Sequence, residues 1–223
     1  VYAIAGLQGS GKSTLSAQVA ALAARRGLRA VVLSIDDFYL GRRERLALGR
    51  EVHPLLATRG APGSHDVPLA IETIAALRDG RTAKLPRFDK IADRRLPPSK
   101  WPIARDADPG SSPGQALVLF EGWFQKVPPQ REEELATPLN ALERGEDADG
   151  TWRRWCNASL ARDYPPLWEL IDRMLFLEGP GFEIVPEWRW QQEVTLQAAN
   201  PDRQAMTHAQ VLRFVQFFER VSR

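Results

Sequence analysis

At 223 residues, the chain is long enough for one large domain, and we expect a single domain over residues 1–223. Hydrophobic residues make up 43%, charged residues 26%, and the net charge is +2, so no strong global field would attract nucleic acid or a membrane. The single cysteine, Cys156, favours a reducing, cytoplasmic compartment, and no apolar run reaches the roughly 20 residues of a membrane span.

The first predicted elements are a short apolar strand from Val1 to Ala5, a glycine-rich loop and a helix. The loop, Gly6 to Ser13, fits the phosphate-binding pattern G-x-x-x-x-G-K-[ST] at every fixed position. Its backbone N–H groups and the positive end of the helix dipole are expected to surround an anion, with Lys12 on the β- and γ-phosphates and the Ser13 hydroxyl on Mg²⁺. The predicted nucleotide-binding residues are Gly6, Gln8, Gly9, Ser10, Gly11, Lys12, Ser13 and Thr14.

A second buried strand, Arg29 to Ile35, ends at two adjacent acids, Asp36 and Asp37. Because the carboxyl ends of parallel strands face the ligand crevice, both acids are expected beside the glycine loop. Asp36 is predicted to take the proton of an acceptor hydroxyl, and its alternative is a metal-linked or solvated carboxylate. Asp37 is equally consistent with capping the next turn.

The middle of the chain predicts helices, loops and one short strand. Residues 41–52 are expected to form a short exposed helix, 58–66 a turn-rich loop, and Val67 to Arg78 a helix with Asp66 as its N-cap. Leu85 to Lys90 predicts a short strand. Leu96 to Gly114, rich in Pro, Gly and Ser, is either a surface loop over the site or a poorly ordered insertion.

A third buried strand, Ala116 to Phe120, is followed by Glu121, which is expected to hold Mg²⁺ directly or through water; its alternative is a structural acid. Residues 131–171 predict helices interrupted by prolines and glycines, and Met174 to Leu177 a further strand. The interrupting residues are Pro138, Gly145, Gly150, Pro165 and Pro166. Two final helices are predicted, one over Glu187 to Ala199 and one from a capping box at Thr207 to Gln210.

Several basic residues lie in predicted elements from which they could bind a phosphate or an acidic acceptor. Arg189 is predicted to lie on a closing lid and stabilise the transferring phosphate, and the alternative is a surface arginine stacked on Trp188 or Trp190. His65 on its own resembles an ordinary surface histidine, and its candidacy depends on its neighbours. The loop cations that could bind an acidic acceptor are Arg59, Arg87, Lys90 and Arg94. The tryptophans do not alternate with a basic stripe, so no nucleic-acid surface is predicted.

The order of these motifs resembles the P-loop small-molecule kinases related to uridine kinase, phosphoribulokinase and pantothenate kinase, and most closely the D-glycerate 3-kinases. The matching segments are Gly6 to Thr14, Leu33 to Leu40, Arg59-Gly60, Gly63 to Asp66, Leu85 to Lys90, Asp93-Arg94, Trp101-Pro102, Phe120 to Trp123, Trp188-Arg189 with Gln191 and Glu193, and Met206-Thr207. One departure is that Ile91-Ala92-Asp93-Arg94 replaces a longer glycine-rich turn, so the acceptor loop is altered.

The resemblance implies an α/β P-loop NTPase fold with a mostly parallel sheet, helices on both faces and a lid near 182–200. It places Asp36 at the catalytic acid position, Glu121 at the metal position with Ser13 and Asp36, and Lys12 and Arg189 on the phosphates. Acceptor-side loops near 53–66 and 85–114 would supply Asp37, Tyr39, Arg59, His65, Asp66, Arg87, Asp89, Lys90 and Arg94.

The function implied is ATP- and Mg²⁺-dependent phosphorylation of a small hydroxy acid, with D-glycerate as the first candidate. Two alternatives stay open: a kinase for a nucleoside, pantothenate-like or sugar acceptor, and a nucleotide-dependent switch or assembly ATPase. Neither an Asn-Lys-x-Asp guanine signature nor a D-x-x-G switch after the second strand is found, which disfavours the switch class.

Overall fold

A computed structural model describes residues 1–104, 116–202 and 204–223. In chain order its strands are β1 (Tyr2–Gly6), β2 (Arg29–Ser34), β3 (Ala83–Lys84), β4 (Phe88–Asp89), β5 (Arg94–Arg95), β6 (Ile103–Ala104), β7 (Ala116–Gly122) and β8 (Arg173–Leu177). Its helices are α1 (Lys12–Arg25), α2 (Arg42–Glu51), α3 (Val67–Arg78), α4 (Glu132–Ala136), α5 (Ala141–Glu146), α6 (Thr151–Arg162), α7 (Pro165–Glu169), α8 (Val185–Ala199) and α9 (His208–Ser222).

The central sheet is parallel, with strand order β2-β7-β1-β8 and helices on both faces, which confirms the predicted α/β P-loop fold. Its inner strands β1 and β7 are almost continuously apolar because both faces are covered, and Ala3 and Phe120 are fully buried. The register sets Glu121 of β7 beside Ile4 of β1 and Ser34 of β2. The carboxyl ends of β1, β2 and β7 therefore meet at one edge, where the glycine-rich loop also lies.

Where the sequence carries a strong capping or proline signal, the predicted helix is present and its ends shift by at most a few residues. Helix α3 has the predicted bounds, with the Asp66 side chain accepting from Leu69 N at 3.1 Å. Helix α9 begins at the predicted capping box, where Gln210 N donates to Thr207 Oγ1 and Thr207 N donates to Gln210 Oε1. Helix α8 begins two residues before the predicted Glu187, because Pro186 is compatible with a first helical turn.

Other predicted elements were wrong in part. The prediction for Leu85 to Lys90 gives only the two-residue strand β4, which pairs with β5. Gly145 lies inside α5 and does not interrupt it, whereas α6 and α7 are separated at the Pro165-Pro166 pair as predicted, and the two prolines form the first turn of α7, where a proline N–H is not needed. Helix α2 is not fully exposed, because Arg45 is 1% exposed.

The predicted loop from Leu96 to Gly114 lies partly outside the described residues. Within the described part, Ile103 and Ala104 form β6, which pairs antiparallel with β3. Leu85 N also donates to Pro102 O at 2.8 Å. Among the described helices, none combines the length and the hydropathy needed to cross a bilayer.

Candidate active site

The glycine-rich loop joins β1 to α1 at the carboxyl edge of the sheet. Gly9 and Gly11 have φ values of 84° and 86°, a region that L side chains rarely adopt, and α1 begins at Lys12. The buried Lys12 ammonium donates to Leu7 O at 2.7 Å. Burial lowers the pKa of Lys12, and the nearby carboxylates of Glu121 and Asp36 oppose that shift. The loop thus presents backbone N–H groups, a helix N-terminus and one cation to a common point, as a phosphate site requires.

Ser13 and Glu121 bring two oxygen groups together beside this loop. The Ser13 hydroxyl donates to Glu121 Oε1 at 3.0 Å, although the two residues are 108 positions apart. Glu121 is 7% exposed. Burial, followed by the charge of Asp36, raises the pKa of Glu121, while the hydrogen bond from Ser34, the charge of Lys12 and the hydrogen bond from Ser13 lower it. An oxygen-only donor pair that includes a buried carboxylate fits Mg²⁺, which prefers such ligands.

Asp36 follows β2 and has both carboxylate oxygens occupied. The Tyr39 hydroxyl donates to Oδ1 at 2.9 Å, and the Lys90 ammonium donates to Oδ2 at 2.5 Å. Burial raises the pKa of Asp36, but the Lys90 charge and the hydrogen bonds from Lys90 and Tyr39 outweigh it, so that pKa lies below its usual value. Asp36 is therefore ionised and held in place by two side-chain contacts.

One cavity of about 930 Å³ joins these groups. Its wall combines the phosphate loop, the two strand-end acids, the Lys90 loop and helix α8. The predicted site residues that line it are Gln8, Gly9, Lys12, Ser13, Asp36, Tyr39, Arg59, Lys90, Glu121 and Arg189. Gly6, Ser10 and Gly11 of the same loop, and Thr14 in the first turn of α1, do not line the cavity.

Arg189 reaches the cavity from α8. It forms an ion pair with Glu193, one helical turn away, at 3.2 Å, and its guanidinium lies 5.8 Å from the centre of the Phe214 ring. This ring contact with Phe214 of α9 was not predicted from the sequence. Glu193 is 1% exposed and also accepts from Met206 N at 2.9 Å. The arginine is thus attached to both final helices.

Sequence comparison places this geometry in a family. No protein-family model matches the chain. The uncharacterised kinase mug58 of Schizosaccharomyces pombe is 31% identical to it over 226 residues, which span 98% of this chain and 78% of that protein. The chain belongs to the P-loop kinases of small molecules.

Two further proteins are similar to this kinase. The chloroplastic D-glycerate 3-kinase of Arabidopsis thaliana is 29% identical over 204 residues, which span 85% of this chain but only 40% of that protein. The solved structure of D-glycerate 3-kinase from Cryptococcus neoformans superposes with a TM-score of 0.79 at 26% identity, and the match covers 99% of this chain and 76% of that one. The predicted family resemblance is therefore confirmed.

Six predicted acceptor residues of the kinase, Arg87 among them, lie outside the cavity lining, and most of their side chains are engaged by protein groups. Asp37 accepts from Phe88 N and from Arg87 Nη1, both at 3.2 Å. Asp89 accepts from Ile91 N and Ala92 N and so shapes a turn. The other residues in this set are His65, Asp66 and Arg94. The sequence identified their loops but not which side chains turn inward.

His65 and Asp66 have structural partners. Asp66 caps α3, the alternative role predicted for it, and also pairs with Arg95 at 2.6 Å. His65 is not a surface residue, since it is 6% exposed and stacks on Tyr39 with ring centroids 4.6 Å apart. Its Nδ1 lies 2.8 Å from the Tyr164 hydroxyl. His65 therefore supports Tyr39 from behind, and Tyr39 in turn holds Asp36.

The sequence missed the residues that fix the Lys90 loop. Buried Arg45 donates to Leu40 O, Ala57 O and Asp93 O, and pairs with Asp93 Oδ2 at 2.8 Å. Asp93 also accepts from Arg59 at 2.5 Å. Arginines and acids are common on exposed helices and loops, so their spacing gives no signal of this burial. The matched Asp93-Arg94 segment pointed to this loop but not to Arg45.

Proposed function

We propose that this kinase transfers the γ-phosphate of ATP, with Mg²⁺, to a hydroxyl of a small hydroxy acid, and that D-glycerate is its first candidate acceptor, giving 3-phosphoglycerate. The main support is that the acid Asp36 and the cation Lys90 line the same cavity as Lys12 and Ser13. The names of the D-glycerate 3-kinases from Arabidopsis and Cryptococcus support this choice of acceptor. A carboxylate acceptor suits a cavity with a cation at its wall.

In the proposed reaction the acceptor oxygen attacks the γ-phosphorus of ATP. A new O–P bond forms, the bond to the β–γ bridging oxygen breaks, ADP leaves, and the hydroxyl proton passes to Asp36. Lys12 and Arg189 offset the charge that develops on the transferred group. Ser13 and Glu121 would hold Mg²⁺, which neutralises phosphate charge when bound. Because its oxygens contact Tyr39 and Lys90, Asp36 is assigned here as the base rather than as a metal ligand.

The test is ADP release measured with a coupled assay over a panel of hydroxy acids, sugars, nucleosides and pantothenate. We expect release that depends on D-glycerate and falls at least about 1,000-fold in Asp36→Asn, as for loss of a general base and its charge. Dependence on a nucleoside, a sugar or pantothenate instead would identify another metabolite kinase. Release that is independent of every acceptor, together with an ATP-gated protein complex, would favour the switch or assembly class.

A cytoplasmic location is part of this proposal. Cys156 is free and buried in α6, and burial raises the pKa of its thiol, so it stays protonated and unreactive. Fractionation of expressing cells with a compartment-specific antibody would test the location directly.

A further inference from the structure

Two cations of the predicted acceptor set line the cavity, Arg59 and Lys90, and Lys90 has the more exposed side chain. Arg59 also lines the cavity, but its guanidinium is engaged by Asp93 and by Lys90 O, the latter at 3.1 Å. The Lys90 ammonium contacts Asp36 Oδ2, and its side chain is 57% exposed. An ammonium on a flexible, exposed stem can move between two acceptors at small cost.

Asp36 has two different contacts, and only one of them is easily released. Tyr39, which holds Oδ1, is 3% exposed and packs between His65 and Phe88, with ring centroids 4.6 and 5.3 Å away. The Tyr39 contact is therefore fixed by packing, whereas the Lys90 contact lies at the cavity surface. The Lys90 ammonium on Oδ2 opposes protonation of that oxygen, so proton transfer from an acceptor hydroxyl to Oδ2 is favoured when Lys90 moves aside.

The backbone around Lys90 is held in place, so only its side chain has to move. Lys90 O accepts from Arg59, and the next turn is closed by Ile91 N and Ala92 N on Asp89. Asp93, which ends this turn with a φ of 51°, is fixed by Arg45. A rigid turn with an exposed lysine side chain is suited to placing that charge repeatedly at the same point.

We propose that Lys90 is an exchangeable partner of Asp36: the carboxylate of an acid acceptor draws the Lys90 ammonium away from Asp36 Oδ2, and so frees that oxygen to take the proton of the acceptor hydroxyl. The inference rests on the proposed function and adds to it the residue that selects the acceptor. The carboxylate then contributes to turnover as well as to binding. A neutral acceptor of the same shape leaves Lys90 on Asp36 and is turned over slowly.

The proton balance is complete without any further reactant. The hydroxyl proton moves to Asp36 Oδ2 as the acceptor oxygen bonds to the γ-phosphorus, and ADP leaves with the bridging electrons. Lys90 stays protonated throughout and moves from one carboxylate to another. Asp36 returns its proton to solvent after the product has left.

The experiment compares kcat/KM for D-glycerate and for its neutral amide, D-glyceramide, in the wild type, Lys90→Met and Lys90→Arg. The acid-to-amide ratio is expected to fall about 10- to 100-fold in Lys90→Met, the range for loss of one charge-assisted hydrogen bond, and to be largely kept in Lys90→Arg. Lys84→Met, an exposed lysine on β3, is the matched control and should keep the wild-type ratio. An unchanged ratio in Lys90→Met, or an equal loss with both acceptors, would overturn the proposal.

A second readout covers the case in which the amide is turned over too slowly to measure. The ionisable groups that act on Asp36 are Lys90, Tyr39 and His65, and Lys12, Asp37 and Glu121 lie within its electrostatic reach. With Lys90 removed, the pKa of Asp36 rises, so the acid limb of kcat/KM for glycerate should move to higher pH in Lys90→Met and not in Lys84→Met. An unmoved limb would contradict the Lys90–Asp36 contact on which the exchange depends, and so overturn the proposal.

The two levels of proposal fail in different ways. If the wild type releases no ADP with any acceptor, the proposed function fails and Lys90 has no acceptor to select. If the wild type phosphorylates glycerate but Lys90→Met keeps the acid-to-amide ratio, the function stands and the role of Lys90 is wrong. Equal melting temperatures of the wild type and Lys90→Met would show that the substitution changes the site rather than the fold.

Discussion

The Ser13 hydroxyl donates to Glu121 Oε1 across 3.0 Å, which links the first turn of α1 to the end of β7. The contact exists because β7 lies between β1 and β2 in the sheet, so that its carboxyl end emerges directly beside the glycine-rich loop. A hydroxyl and a carboxylate in this position offer two oxygen ligands to one cation.

Glu121→Gln is expected to lower kcat/KM at least about 100-fold and to raise the Mg²⁺ concentration for half-maximal rate, because a buried carboxylate is replaced by a neutral amide. Ser13→Ala should have a smaller effect in the same direction. If both side chains hold one ion, the fall in kcat/KM of the double variant, expressed as a free energy, is smaller than the sum for the two single variants. Magnesium titrations of the four enzymes measure this. Glu72→Gln, on the exposed face of α3, is the control, and strictly additive losses would argue against a shared ion.

Gly9→Ala is expected to reduce both stability and nucleotide affinity. A β-carbon at Gly9 would lie 2.6 Å from Trp188 Cβ, on a backbone with a φ of 84°. Gly27, just after α1, has a φ of 72° with no atom within 4 Å of such a β-carbon, so Gly27→Ala isolates the cost of the backbone conformation. That cost is about 1 kcal/mol, and Gly9→Ala should exceed it, because Trp188 and α8 must shift.

Urea unfolding and ATP titration would distinguish the two glycine variants. Since a shift of about 1 Å near a reacting group can cost about 100-fold, the ATP affinity of Gly9→Ala should fall clearly while that of Gly27→Ala stays near the wild type. Equal unfolding free energies for the two variants would show that the contact with Trp188 relaxes freely.

Local sequence pattern was sufficient for the elements whose ends are marked by strong signals. The glycine-rich loop and α1, the bounds of α3 and the capping box of α9 each depend on residues within a few positions of one another. The same holds for the acids, because a strand end fixes which edge of a parallel sheet a following residue meets. Asp36 and Glu121 were placed at the cavity for this reason.

Side-chain direction within the loops could not be predicted in the same way. Asp37 is adjacent to Asp36 but is turned towards Phe88 N and Arg87, since a 3₁₀ turn rotates successive side chains to different sides. Arg45 is buried by a contact with Asp93, 48 positions along the chain. Such pairs depend on tertiary packing, which residue type and spacing do not encode.

Glu193→Gln is expected to lower kcat about 10-fold with little change in the KM for ATP, because the amide holds Arg189 less firmly and the arginine acts chiefly in the transition state. Arg189→Ala should lose about 1,000-fold or more. In the Arg189→Ala background, Glu193→Gln should add little. Steady-state kinetics measure these values, and Glu187→Gln on the exposed side of α8 is the control. A full additional loss in the double variant would mean that Glu193 acts without Arg189.

His65→Asn is expected to make the protein less sensitive to mild acid. Burial lowers the pKa of His65 to about 4, whereas the usual value for the unfolded chain is 6.5. Between these values the unfolded chain binds one more proton than the folded protein, so the free energy of unfolding falls as pH falls through this window. From pH 6.5 to pH 5 that loss is about 2 kcal/mol.

Asparagine suits this test because its Oδ1 can accept the hydrogen bond that the Tyr164 hydroxyl gives to His65 Nδ1, while the side chain does not titrate. The Tyr164 oxygen accepts from Gly63 N at 2.8 Å and its O–H can donate to His65 Nδ1, which accepts when the neutral ring carries its proton on Nε2. Urea unfolding measures the fall in unfolding free energy from pH 6.5 to pH 5, and this fall should be smaller by about 2 kcal/mol in His65→Asn than in the wild type. His208→Asn, at the exposed start of α9, is the control and should keep the wild-type change in unfolding free energy between the two pH values. If His65→Asn also keeps the wild-type change, His65 is protonated in the folded protein at pH 5.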